Sequence, residues 1–246
     1  MTVQVRERPI VVGALALLVA LAWAILVLQA DGLHMAAMPM PGRAALSVAL
    51  ATFGMWVLMM VAMMTPSAVP MILLHARIAG RAEPARARAM SGGFIAAYLA
   101  AWTGFSLAVT LVQDGLARTG VIDHTMALSH RRLGGLVMIA AGAYQCTPLK
   151  HACLAHCRGP VHFLSQRWHA GVLGAFRTGL AHALYCVGCC WMLMLLLFVG
   201  GVMNVTWIAG LTALVLAEKL APGGPLIAKA SGAVLMVWGL WLLAIG

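Results

Sequence analysis

The chain has 246 residues, of which 63% are hydrophobic and 9% charged, and its formal net charge is +10. Soluble domains are about half apolar and about a quarter charged, so this composition excludes a water-soluble enzyme and a disordered tail and leaves lipid as the solvent. The cations are not gathered on a basic, aromatic-studded domain, so no nucleic-acid partner is expected; they read as topology signals beside membrane spans.

An uncharged stretch of about 20 residues crosses a bilayer as a helix. The expected fold is therefore all-α, a polytopic transmembrane bundle of six or seven spans forming one integral membrane domain over residues 1–246. The first span, 10–28, follows Arg6 and Arg8. It is longer than a usual signal-peptide core, and Leu28-Gln29-Ala30 is a poor cleavage site. An outer loop then carries His34, Met35, Met38 and Met40. The second span, 45–65, runs into Pro66 and Pro70, which are expected to kink or end it. The third covers 93–112. After a polar outer stretch comes a short fourth span, 133–147. A Cys- and His-bearing cytoplasmic loop, 146–174, leads to the fifth, 176–202. Segment 205–217 is marginal, a full span or a re-entrant one, and 226–245 is the last. His75 and His169 are expected in loops at the interface.

Orientation follows from the cations. With the N-terminus in the cytoplasm, Arg43, Arg118, Arg131 and Arg132 fall outside and the remaining twelve of the 16 Lys and Arg fall inside. The reverse orientation breaks the positive-inside rule. The expected location is the inner, cytoplasmic membrane.

Six cysteines, nine histidines and seventeen methionines are a heavy load of soft donors. In the cytoplasmic loop, Cys153 and Cys157 share a helical face if the segment is helical. Pro148 suits the first turn of such a helix, and Cys146, His151 and His156 lie close in sequence. In the fifth span, His182, Cys186 and either Cys189 or Cys190 form one stripe. One imidazole and two thiols make an incomplete soft-metal site that needs ligands from elsewhere, and the preceding loop can supply them. Lys150, Arg158 and Arg177 are expected to favour the thiolates. In the second span, Met55, Met59 and Met63 form an i, i+4, i+8 ridge with Met60 and Met64 beside it. Thioethers suit Cu(I), need no deprotonation and survive oxidising compartments where free thiols are lost. Each cluster also has a plainer explanation. Methionine in packed helices is usually gap filler, and a lone buried Cys is usually a small hydrophobe. Glu218-Lys219 is either a buried functional pair or the interfacial end of a helix.

Four motifs carry a resemblance: Met59-Met60-x-x-Met63-Met64-x-Pro66-Ser67; Tyr144-Gln145-x-Thr147-Pro148-Leu149-Lys150-x-x-Cys153-Leu154-x-x-Cys157-Arg158-x-Pro160; Gly179 to Cys186-x-Gly188-Cys189-Cys190-Trp191-x-Leu193-Met194; and Glu218-Lys219. Together they resemble a bacterial family described only as predicted metal-binding integral membrane proteins, a domain of unknown function. The resemblance runs from the second span to the end, and it implies metal binding without an established reaction. Cys146 and the string from His34 to Met40 lie outside its pattern.

The expected function is handling of a soft metal, Cu(I) first, in transport, delivery or storage, with a metallochaperone or acceptor protein as partner. Zinc suits a Cys/His site but leaves the methionines unexplained. The alternatives are a membrane thiol oxidoreductase using Cys186 and Cys189, or a metal-dependent membrane enzyme with Glu218 or Lys219 as acid–base group. The sequence does not decide whether the chain is an enzyme.

Overall fold

In the computed structural model, residues 3–38, 44–123 and 126–245 are described. They form α1 (Val3–Leu28), α2 (Ala30–Ala37), α3 (Ala45–Ala82), α4 (Ala87–Arg118), α5 (Arg131–Gln145), α6 (Pro148–Arg158), α7 (Pro160–Arg167), α8 (Gly171–Leu195), α9 (Leu197–Gly200), α10 (Val205–Leu220) and α11 (Gly224–Ile245). The described residues contain no strand, only one isolated bridge between Ile122 and Leu128. The all-α expectation holds.

Among the described residues, five helical stretches are long and apolar enough to cross a membrane: Pro9–Leu28, Ala45–Ala82, Ala87–Arg118, Gly171–Gly200 and Gly224–Ile245. The expected fourth and sixth spans are helices too, but α5 has 15 residues and α10 has 16. At 1.5 Å per residue they reach about 22–24 Å, short of a hydrocarbon core of about 30 Å. Leu46, Leu226, Val234 and Val237 are more than 60% exposed, as suits side chains whose solvent is lipid.

Three expectations are corrected. The outer segment bearing His34 and Met35 is not a loop but the helix α2, packed on α1 and α3; Met40 lies outside the described residues. His75 is not an interfacial loop residue. It is fully buried within α3, its ring 4.6 Å from that of Phe94 and 5.1 Å from that of Trp168, and neither ring nitrogen has a hydrogen-bond partner. The third concerns the prolines, because α3 continues through both Pro66 and Pro70. A helical proline removes the N–H that would serve the carbonyl four residues earlier. For Pro66 that carbonyl belongs to Ala62, and the indole N–H of Trp23 in α1 donates to it at 3.1 Å. A side chain from another helix thus closes the gap in the ladder.

Glycines set two close helix contacts. A Cβ on Gly179 of α8 would stand 2.5 Å from the Phe94 carbonyl of α4. Between α5 and α11 the approach is reciprocal. A Cβ on Gly135 would meet the Gly239 carbonyl at 2.8 Å, one on Gly239 the Gly135 carbonyl at 2.6 Å, and Gly142 and Gly232 repeat the pattern one heptad on. Small residues that let backbones touch are a recurrent means of helix association in lipid. In this fold α4 packs on both α3 and α8, while α6 lies against α8. That arrangement places the chemistry described next.

Candidate metal centre

The centre is built on α8. His182, Cys186, Cys189 and Cys190 are all at most 2% exposed, because their 4-3-1 spacing puts them on the face that α4 and α6 cover. Helix α6 begins where the sequence requires. Thr147 caps it, its side chain accepting the Lys150 N–H at 3.2 Å, and Pro148 occupies the first turn. The helical turn then aims Cys153 and Cys157 at α8. The Cys153 sulfur would stand 2.9 Å from a Cβ on Gly188, so α6 can lie this close only because position 188 has no side chain.

The sulfurs form a chain of contacts. Cys157 Sγ lies 3.9 Å from Cys189 Sγ, which lies 3.3 Å from Cys190 Sγ. Three donors at about 2.3 Å in a plane around one ion stand about 4.0 Å apart, so the Cys157–Cys189 separation already suits a shared ion. All six cysteines are free thiols. Among the described residues, no three His, Cys, Asp or Glu side chains are gathered as a ready-made cage.

Two groups from other helices reach Cys186, one of them the Lys219 already singled out in the sequence. Lys219 Nζ donates to Cys186 Sγ at 2.9 Å and to Ser67 Oγ at 3.0 Å. Tyr98 Oη lies 3.2 Å from Cys186 Sγ and 2.9 Å from the Met64 carbonyl. That hydroxyl has one hydrogen and two acceptors within reach. With Cys186 as thiolate it donates to sulfur; with Cys186 as thiol it donates to Met64 and accepts from sulfur. The site can therefore change its proton content without moving a heavy atom. Ser67 stood inside a recognised motif, whereas Tyr98 sits in an unremarkable apolar run and carried no signal.

The cations expected to favour the thiolates are otherwise engaged. Lys150, fully buried, pairs with Glu218 at 2.6 Å. Arg158 donates to the carbonyls of Glu218 and Pro222 at 2.7 and 3.0 Å, satisfying the end of α10. Arg177, on α8, donates to none of the thiols described here. Lys219 is the cation that donates to a sulfur, whereas Lys150 acts on Cys153 only through its charge. Burial pushes the Cys153 thiol up, Cys190 adding to the effect and Lys150 opposing it. Glu218 also accepts from Gln145 Nε2 at 2.6 Å. Neither Glu218 nor Lys219 marks an interface: both are buried, on adjacent positions of α10, one turned to α6 and the other to α8.

The other candidates take different places, and of them only His182 adjoins the sulfurs. His182 is one turn from Cys186, among the rings of Phe94, Tyr98 and Phe163, and its Nδ1 has no hydrogen-bond partner. It is an uncommitted donor beside the thiols. His156 stacks on Tyr185 at 4.1 Å, and its Nδ1 donates to the Ala152 carbonyl at 2.8 Å. Cys146 is exposed after α5 and faces Gly232 of α11. Met55, Met59, Met60, Met63 and Met64 are all buried along α3, which reaches the centre through Ser67 and the Met64 carbonyl. His34 and Met38 line different cavities, and Met35 is half exposed.

A family model described as PpoB2, copper chaperone, matches residues 53–242. No curated protein and no solved structure matches the chain.

Proposed function

The chain belongs to that copper chaperone family, whose model spans well over half of it, and we propose that it is a membrane copper carrier that binds Cu(I) as cargo at the thiols of α6 and α8 and hands it to an acceptor protein. One observation carries the reading: two separate helices bring Cys157, half-buried, and Cys189 and Cys190, both buried, into one string of sulfurs. Soft thiolates select Cu(I). Clustered free thiols next to a histidine with an unpartnered nitrogen fit such an ion by donor chemistry.

In this reading Cys157 and Cys189 are the primary ligands, with Cys190, Cys186 and Cys153 able to exchange onto the ion. Lys219 compensates the negative charge that thiolates bring into an apolar interior, where an unpaired charge costs several kcal/mol. Binding expels thiol protons, and the Tyr98 hydroxyl reorients as Cys186 changes state. The methionines of α3 form a neutral soft path toward the thiols. The N-terminus and the α6 thiols face the cytoplasm, and the membrane is the inner one. The copper family gives the disulfide-exchange alternative no support.

The test is a competition titration of Cu(I) against a chromophoric chelator, on detergent-purified protein under reducing conditions. Wild type should take up Cu(I), and Cys157→Ser with Cys189→Ser should lose the tight binding. Undiminished binding by that double variant would remove α6 and α8 as the site.

A further inference from the structure

A second concave site lies far along α3 from the thiols. It has a volume of about 390 Å³, and its wall includes Met38, Thr52, Thr110, Gln113, Asp123 and Met126. Thr52 precedes Ser67 by fifteen positions on α3, about 22 Å at 1.5 Å per residue.

Met126 is held there by an unusual device. It is the one non-glycine residue with positive φ among the described residues, at 56°. An L-residue in that region costs about 1–2 kcal/mol, which glycine avoids. Yet the position carries a long thioether, and the side chain is turned inward, 4% exposed. The Trp56 indole N–H donates to Gln113 Oε1 at 2.6 Å, and Gln113 Nε2 donates to Met126 Sδ at 3.3 Å. Indole only donates, so Trp56 fixes the amide with its oxygen toward the ring and its N–H toward sulfur. The thioether is thereby oriented while one of its lone pairs stays uncommitted. Met38, at the C-terminal end of α2, brings a second thioether to the same cavity.

We propose that this cavity is a second Cu(I) site, with the Met38 and Met126 thioethers as ligands and Gln113 as the positioning residue for Met126. The proposal rests on the copper reading above and extends it to the opposite end of the molecule. Neutral thioethers bind Cu(I) without releasing protons, whereas the thiol centre must deprotonate. Asp114 and Asp123 line the same cavity and add negative potential; Asp114 is bridged by Arg118 at 2.8 Å, and Asp123 accepts the Ala127 N–H at 3.1 Å. From the cavity, Thr52, Trp56, Met59, Met63 and Ser67 form one buried stripe of α3 leading to Lys219 and Cys186.

The experiment counts Cu(I) equivalents and affinities by chelator competition on full-length protein in detergent. The variants are M38L/M126L, which conserves side-chain volume, and M126G, which relieves the left-handed strain and so retains the fold. Wild type should show a tight class of sites and a weaker one. M38L/M126L should lose only the weaker class, M126G should weaken that class at least about tenfold (about 1.4 kcal/mol), and C157S/C189S should lose only the tight class. Both classes surviving unchanged in M38L/M126L and M126G would overturn the thioether site. A weaker class present without any tight class would instead overturn the thiol reading while keeping this one.

Discussion

Lys219 Nζ stands 2.9 Å from Cys186 Sγ, with both residues buried in the bundle. An ammonium at hydrogen-bond distance from sulfur stabilises the thiolate, and inside lipid no water competes for either partner. A hydrogen bond to a charged group is worth about 1.5–3 kcal/mol, so Lys219→Met should weaken Cu(I) binding about ten- to a hundredfold. Lys219→Arg should restore part of the loss. An affinity for Lys219→Met equal to wild type, measured by chelator competition, would show that Lys219 plays no part in the site.

The neighbouring pair behaves differently, because it supports the fold rather than the sulfurs. Lys150→Met leaves Glu218 buried without its cation, and breaking a buried pair in this way costs about 3–5 kcal/mol. Lys150→Met with Glu218→Gln should recover most of that stability. The measurement is thermal unfolding in detergent, and a double variant as unstable as the single one would contradict the assignment.

Gly188 tests the contact between α6 and α8. A methyl there meets the Cys153 sulfur at 2.9 Å, so Gly188→Ala should push α6 outward and weaken copper binding. Gly210 of α10 has open space around its would-be Cβ. Gly210→Ala should therefore leave binding intact and stabilise the helix by up to about 1 kcal/mol. Equal binding losses in the two variants would point to a general effect of glycine replacement.

Proton release gives the binding a pH dependence. The Cys153 thiol lies above the ordinary thiol range, chiefly through burial. A raised pKa means the proton is held to higher pH, and an ion that needs the thiolate must displace it. Apparent Cu(I) affinity should therefore rise with pH through the neutral and mildly alkaline range, and Cys153→Ser should flatten that rise. For the copper-free protein the sign reverses. A thiol whose pKa is higher folded than unfolded stabilises the fold below the ordinary thiol range, and that contribution fades as pH climbs through the raised value. Stability of the copper-free protein should fall at alkaline pH, less so in Cys153→Ser.

Much of this molecule was legible because periodicity survives folding. The 4-3-1 spacing of α8 and the four-residue step from Cys153 to Cys157 are properties of any helix, so their shared faces followed from the sequence. The contacts of Tyr98 and Lys219 show what is not legible, although Lys219 itself stands out in the sequence. Each reaches Cys186 across a tertiary contact with a separation of 33 residues or more, and nothing local distinguishes Tyr98 from an ordinary aromatic. The cation assignment held only in part for a related reason: Lys150 lowers the Cys153 thiol through its charge, but its ammonium is held by the carboxylate of Glu218 rather than by a sulfur. Pro66 and Pro70 are expected from the sequence to kink or end the helix, and a local rule cannot see that Trp23 will supply the donor missing at Pro66. The seven-residue glycine spacing that joins α5 to α11 was present in the sequence and went unread, since isolated glycines in apolar runs look like filler.

The Trp23–Ala62 hydrogen bond gives α1 a task that its apolar surface does not suggest. Where Pro66 interrupts α3, the helix is held in line by a strut from outside itself, one residue before the serine that receives Lys219. Residues before 53 fall outside the family match, yet one of them braces the turn of α3 on which the Ser67 hydroxyl depends. Drawing α1 away from α3 would free that joint to flex, and the first group to feel it would be the ammonium resting between Ser67 and Cys186.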